Sequence, residues 1–492
     1  MSIEHVFVLM LENRSFDHMF ALSGIPGIKV ATPADTNTYK GQTYPFQGGA
    51  PARMPSDPLH EFCAVLQQLC GNQNCANTTP YPARDNSGFV ADYATTKVKS
   101  GLLGKKPLPQ ADYHKIMQGI DAAQQAPALH ALALSYAICD NWFSSLPGPT
   151  WPNRFFVHGA SSDGLNDSPK GTDILKWETF SGFVYPHGSI YDRLGKNNYR
   201  LYQDKSGPLS GRIPQVAAIK GIDYFDVHGL DDFEDDVAAG RSPQYSFIEP
   251  AYGDIVFGSY RGGSSQHPMD GLSRGDRLIA RVYEAIRQSP LWESSLLIIT
   301  YDEHGGFYDS GCPDQSAPPP NDGTGAHQNA NNFDFSEFGV RVPAVIVSPW
   351  IAKGVVDHNL YDHASVLATL EMIFGLEPLT DRDAQANSLL QLFGATIRPE
   401  ADCPETLPVG DAELEAIEEG IETAMADPAE PVEEASDLPA FLFVARKADR
   451  ALAGDLEALT RFQPIRSRAD AQSYLEQVMP RLEASRAAGA GI

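Results

Sequence analysis

The chain has 492 residues, 42% of them hydrophobic, with 37 Pro, 42 Gly and a formal net charge of -26. That length suits one large α/β domain with elaborated loops, or two domains, and the composition is neither disordered nor fibrous. An acidic surface of this kind repels phosphate backbones, so nucleic acid is not an expected partner, and a phosphate-bearing substrate would need a focused cationic or metal site.

The opening Met1-Ser-Ile-Glu-His carries no basic, cleavable leader, and no apolar run in the chain is long enough to span a bilayer. The expectation is a protein that is cytoplasmic or exported by a signal-independent route, with at most transient membrane-surface contact. His5 to Leu11 is a buried strand, and Glu12-Asn13-Arg14-Ser15-Phe16-Asp17-His18 follows it, with Asn13 or Ser15 capping a short helix. From Gly24 to Lys115 the chain is rich in Pro, Gly, Asn and Asp, which reads as a long excursion over a sheet, holding Asp57-Pro-Leu-His60 and a short helix from Glu61 to Leu69. Cys63, Cys70 and Cys75 in this excursion lack the two close pairs of a zinc site, so they read as structural, and six cysteines in all are too few for a disulfide scaffold.

Ala126 to Ser135 has helical spacing and Ile138 to Phe143 reads as the next strand. Leu146-Pro-Gly-Pro-Thr-Trp-Pro-Asn-Arg154 is then a stiff turn that sets Thr150 at a helix N-terminus, where backbone donors favour an anion. Ser189–Leu194 predicts a helix, and Tyr199–Tyr202 and Tyr245–Ile248 predict strands. Gly275 to Arg287 is an amphipathic helix, and Leu296 to Ile299 a strand delivering Asp302 and Glu303 to its C-terminal end. Val342–Val347 and the helix His363–Phe374 complete a further βα unit of a parallel sheet. Beyond Pro399 the chain turns acidic (Glu413, Glu415, Glu418, Glu419 and Glu422) and then regains helical spacing from Asp437 to Leu482. Residues 1–398 therefore read as the catalytic domain and 399–492 as an acidic linker with a helical appendage, either a cover on the body or a partner-binding module.

Three strand ends thus offer Glu12, Asn13, Thr150, Asp302 and Glu303, a hard oxygen set for a divalent cation. Ca, Mg, Mn and Zn are not distinguishable on this basis. A cation touching the Thr150 oxygen would lower its pKa and orient it as a nucleophile. His60, His228 and His267, all in polar loops, are candidates to neutralise phosphate or protonate a leaving alkoxide. Taken singly, Glu12 with Asn13 also fits a helix cap, Asp302 with Glu303 a solvated loop pair, and Thr150 a buried turn hydroxyl. His304 abuts the acid pair, His363 fits a cap or a supporting group, and Arg154 reads as a brace for the Thr150 loop. Trp142, Trp151 and Tyr185 are among the aromatic residues available to cage a choline headgroup.

Glu12-Asn13-Arg14-Ser15-Phe16-Asp17-His18, Gly148-Pro-Thr-Trp-Pro-Asn-Arg154, Gln266-His-Pro268, Thr300-Tyr-Asp-Glu-His-Gly-Gly-Phe-Tyr-Asp309 and Arg341-Val-Pro-Ala-Val-Ile-Val-Ser-Pro349 occur in that order. The set resembles the bacterial phosphoesterase family of non-haemolytic phospholipases C and respiratory-burst-inhibiting acid phosphatases, within the alkaline-phosphatase-like superfamily. The resemblance implies an α/β fold with a mostly parallel central sheet flanked by helices. It also implies a phosphothreonine intermediate on Thr150, a metal held by Glu12, Asn13, Asp302 and Glu303, and phosphate-facing roles for His60, His228 and His267. Thr150 in place of Ser leans towards a phospholipase C, with an acid phosphatase, or an exported effector whose tail binds a partner, as the other readings. Ser310 stands where the family often has His, and the tail beyond Pro399 matches no pattern in the family.

Overall fold

A computed structural model describes residues 3–71, 82–100, 104–323, 329, 331–410, 426–432, 436–454 and 465–488. Among them, eight strands form one sheet in the order Val227–Gly229, Tyr199–Gln203, Tyr245–Glu249, His5–Leu11, Ser295–Tyr301, Ala344–Val347, Ala137–Cys139, Val355–Asp357. The two central strands are continuous apolar runs, buried on both faces, as strands covered by helices on either side must be. Their register is parallel and pairs Leu9 with Ile299, Met10 with Thr300 and Leu11 with Tyr301. The expected mostly parallel, helix-flanked sheet with long loop insertions and a helical C-terminal part is the fold the chain adopts.

One expectation is corrected. Ala344–Val347 runs antiparallel to both its neighbours, Ser295–Tyr301 and Ala137–Cys139, so it does not extend the parallel βα series. A strand buried on both faces has the same apolar composition in either direction. The helices at Pro127–Ser135, Ile190–Leu194, Ser273–Arg287 and Ala364–Phe374 match the spacing read from the sequence.

The excursion after the first strand carries two small hairpins, Thr36–Tyr39 with Gln42–Pro45 and Lys97–Ser100 with Gly104–Pro107, and the helix Phe62–Cys70. Cys63 is disulfide-bonded, whereas Cys70, Cys139, Cys312 and Cys403 are free thiols. Cys75 lies outside the described residues, as does the stretch holding Glu413, Glu415, Glu418, Glu419 and Glu422. The tail helices Leu438–Ala453 and Arg468–Ala487 share one hydrophobic cluster with the sheet. Phe441 lies against Trp151 and Tyr252, at centroid distances of 5.3 and 5.1 Å, and Phe443 against Trp177 at 5.6 Å. Among the described residues no helix is long and apolar enough to cross a membrane.

Candidate active site

Because the central strands are parallel and in register, the residues after Leu11 and Tyr301 leave the sheet together. Asn13, in the left-handed region at φ 60°, turns its amide onto Asp302 Oδ1 at 3.0 Å. Glu303 donates its own amide to the same oxygen at 2.7 Å. Gly305, at φ +62°, lets the second loop close on the first, since a Cβ there would stand 2.1 Å from the Asn13 carbonyl oxygen.

Thr150 opens the helix Thr150–Gly159 and donates its hydroxyl to Asn13 Oδ1 at 3.3 Å. The turn before it is fixed by Asn153, whose Nδ2 reaches the carbonyls of Leu146, Gly148 and Pro149 at 3.3, 2.8 and 3.1 Å. Arg154 points back to the sheet. Its Nε meets Asp302 Oδ2 at 3.0 Å and its Nη2 reaches the carbonyls of Met10 and Leu11, each at 3.1 Å. The brace expected of Arg154 therefore spans the helix that opens with Thr150 and both central strand ends.

Gln266-His-Pro268 is tied to the first motif through Arg14, which donates to the carbonyls of Gln266 and His267 at 2.6 and 3.2 Å, while the Glu12 amide binds the Ser265 carbonyl at 2.9 Å. His60 Nδ1 lies 3.8 Å from Glu303 Oε1, and the His60 and His267 rings are 6.2 Å apart. Burial holds His267 neutral, well below its ordinary range. His363 Nε2 is 2.6 Å from the Asp302 carbonyl oxygen, so it supports the acid-bearing loop from behind. His304 is engaged by Gln68 Oε1 at 2.7 Å, and burial lowers it to about 3.

Glu12, Asn13, Thr150, Asp302, Glu303, His60 and His267 are thus brought to one strand-end cleft. His228 is not. It sits on the edge strand Val227–Gly229, partly exposed, near Asp232 and the Tyr202 ring. Three strand spacings separate that strand from His5–Leu11, about 14 Å at the usual ~4.8 Å between neighbours. Ser310 donates to Asp17 Oδ2 at 2.7 Å, beside Arg341, and so braces the first motif rather than lining the cleft. Trp142, Trp151 and Tyr185 are buried in the core, which removes them as a headgroup cage.

Three cleft residues are additions to the sequence reading: Asp57, Tyr260 and Asp437. Tyr260 stacks on His267 with a centroid separation of 3.4 Å and donates its hydroxyl to Asp437 Oδ2 at 3.3 Å. Asp57 precedes a histidine already singled out, but nothing in the acidic tail distinguishes Asp437 from its neighbours. Glu249, at the end of the adjacent Tyr245–Glu249 strand, was also missed. It accepts from the amides of Gln215 and Val216 at 2.9 and 3.1 Å and lies 4.0 Å from Arg154.

The donor set suits a hard divalent cation. Glu12 Oε2 and Glu303 Oε1 are buried without a hydrogen-bond partner, as are His60 Nδ1 and His267 Nε2. Burial, and then the Asp302 carboxylate, hold Glu12 well above the usual carboxylate range; burial pushes Glu303 up to about 8. Two buried carboxyl oxygens without hydrogen-bond partners fit a site that takes a divalent cation. Among the described residues no three His, Cys, Asp or Glu side chains already form an ion-gripping cluster, and Asp302 is turned onto Arg154 and two amides.

Residues 3–377 match the Phosphoesterase family. The chain belongs to that family. This phosphoesterase is an enzyme, a phosphodiesterase by its relatives. It is 35% identical to non-specific phospholipase C6 of Arabidopsis thaliana, covering 82% of this chain and 75% of that one. It is 27% identical to phospholipase C A of Mycobacterium tuberculosis (82% and 79% covered) and to hemolytic phospholipase C of Pseudomonas aeruginosa (76% and 53%). Among solved structures, a phosphonate monoester hydrolase from Silicibacter pomeroyi aligns with the phosphoesterase at TM-score 0.33 and 10% identity, over 63% of this chain and 76% of that one. An alkaline phosphatase superfamily protein from Vibrio parahaemolyticus aligns at TM-score 0.32 and 12% identity, over 67% and 81%. At such scores the fold rests on the sheet itself.

Proposed function

We propose that this phosphoesterase is a metal-dependent phospholipase C that cleaves phospholipids to diacylglycerol and a phosphorylated headgroup. The observation that carries the mechanism is Thr150 Oγ1, set at a helix N-terminus 3.3 Å from Asn13 Oδ1, whose neighbour Glu12 and the facing Glu303 each keep a buried oxygen without a hydrogen-bond partner. Glu12, Asn13, Asp302, Glu303 and Thr150 would hold the ion, with Asp302 offering the second lone pair of the oxygen that faces Arg154. When bound, a divalent cation supplies Lewis-acid stabilisation and lowers the pKa of the Thr150 hydroxyl.

Thr150 Oγ attacks phosphorus in line, a P–O bond forms and the bond to the diacylglycerol oxygen breaks. His60 or His267, each with a buried ring nitrogen that lacks a hydrogen-bond partner, takes up the Thr150 proton and passes it to the departing alkoxide. Water then attacks phosphorus, its proton passes by way of the same histidine to Thr150 Oγ1 as the Thr150–phosphate bond breaks, and the phosphorylated headgroup leaves. Two inversions give net retention.

Thr150→Ala is expected to lower turnover at least ~1000-fold, with Thr150→Ser retaining part of it. Exhaustive chelation is expected to abolish activity, and metal analysis of the purified protein with re-addition of Ca, Mg, Mn or Zn identifies the ion. Retained activity in either experiment refutes the mechanism. Comparing p-nitrophenyl phosphorylcholine with p-nitrophenyl phosphate across pH separates it from an acid phosphatase, for which the monoester would be preferred.

A further inference from the structure

A cavity of about 190 Å³ opens beside the strand-end cleft, bordered by Asp57, His60, Tyr260, Asp437 and Arg468. Two of its walls come from the C-terminal helices, which otherwise cover the body. Asp437 is 7% exposed, its Oδ1 has no hydrogen-bond partner, and its side chain makes no capping bond although it begins the helix Leu438–Ala453. Its second oxygen is held by the Tyr260 hydroxyl. Asp57 presents another buried oxygen without a hydrogen-bond partner, 4.0 Å from His267 Nε2.

These oxygens are not used by the hydrolytic chemistry proposed above. Glu61, also on the rim, is spent on the Ser168 amide and hydroxyl at 2.9 and 2.6 Å. The Arg468 guanidinium, which donates to the Val256 carbonyl at 2.6 Å, offsets one charge. Burial pushes Asp437 up to about 7 and holds Asp57 well above the usual carboxylate range, so both acids resist ionisation until a cation enters the cavity. A divalent cation at Glu12 and Glu303 would compensate those two and leave Asp57 and Asp437 as the acids that face the cavity.

We propose that Asp437 and Asp57 form a subsite for the ammonium group of a phospholipid headgroup, an inference that rests on the phospholipase C reading. A zwitterionic headgroup matches this polarity. Its phosphate lies at the Thr150 end, where helix amides and the metal favour an anion, and its nitrogen lies between two carboxylates and the Tyr260 ring. An ammonium on an aromatic ring flanked by carboxylates is favoured over a neutral alcohol such as glycerol, whose hydroxyls would leave the carboxylates uncompensated.

The test uses the full-length, metal-loaded enzyme and its Asp437→Asn variant, which keeps size and removes charge, with Tyr260→Phe as a second variant that releases Asp437 from its hydroxyl. Headgroup release is measured on phosphatidylcholine and on phosphatidylglycerol in micelles of one composition. The ratio of kcat/KM for the first over the second is expected to fall about tenfold in Asp437→Asn, through KM, and less in Tyr260→Phe. Tetramethylammonium, titrated calorimetrically, is expected to bind the wild type and to bind the variant at least ~10-fold more weakly. A ratio unchanged by Asp437→Asn overturns the subsite, as does a variant that loses bound metal and both activities together. If the wild type releases no headgroup from any phospholipid, the phospholipase C reading fails by itself. The tetramethylammonium titration then decides the subsite, and absence of binding to the wild type overturns it.

Discussion

Leu11 and Tyr301 stand opposite each other at the last paired position of two parallel strands, and the motifs that carry Glu12, Asn13, Asp302 and Glu303 leave the sheet from them. One register shift would carry Asp302 past Asn13 and away from the amide that orients it.

Arg154 is the buried cation between Asp302 and Glu249. Arg154→Met removes it and leaves both carboxylates uncompensated, together with two strand-end carbonyls. The expected cost is about 3–5 kcal/mol of unfolding free energy. Urea denaturation measures it, and a cost below ~1 kcal/mol would show that the guanidinium is not the brace described.

Gly305→Ala forces a Cβ into the Asn13 carbonyl from a left-handed backbone. A stability loss of about 1–3 kcal/mol is expected, with turnover falling on the order of 100-fold as Asn13 and Glu303 separate. Paired melting and rate measurements check both; a variant with wild-type kcat contradicts the close-approach argument.

Phe441→Ala opens a hole against Trp151 and Tyr252 and is expected to cost about 3–5 kcal/mol. Removing residues 399–492 altogether bares those rings and Trp177, so insoluble protein is expected. A soluble, fully active truncation would instead favour a tail that serves a partner, the effector reading.

Glu371 is a buried acid raised to about 9, by burial first and then by its hydrogen bond to Asp383. Asp383 is already committed as an acceptor to Leu379 and Thr380. The folded state thus holds a proton that the unfolded chain releases near pH 4.5. Its contribution is complete below that pH and is lost as pH rises towards about 9. In Glu371→Gln the decline of Tm between pH 5 and 9 is expected to be shallower; equal slopes would contradict the assignment.

The two central strands were legible because each is a long apolar run ending in paired polar groups. The short strands Val227–Gly229 and Val355–Asp357 were not, since three residues carry no periodicity. Strand direction was hidden for Ala344–Val347, whose side chains are apolar whichever way it runs. His228 and His60 look alike as loop histidines, and strand order alone separates the edge from the cleft. Asp437 is one acid in an acidic stretch, and only the packing of its helix on Trp151 marks it out. Trp142 and Trp151 show the converse, because aromatic composition does not distinguish a ring that lines a cleft from one that fills a core.

Trp151 follows Thr150 directly and rests on Phe441, so the helix that presents the hydroxyl is seated on a segment made long after it. The helix that opens with Thr150 is translated almost three hundred residues before Phe441. A chain that ends before residue 437 lacks the Phe441 ring that packs on Trp151, so the seat of this helix is complete only once the tail helices have been made.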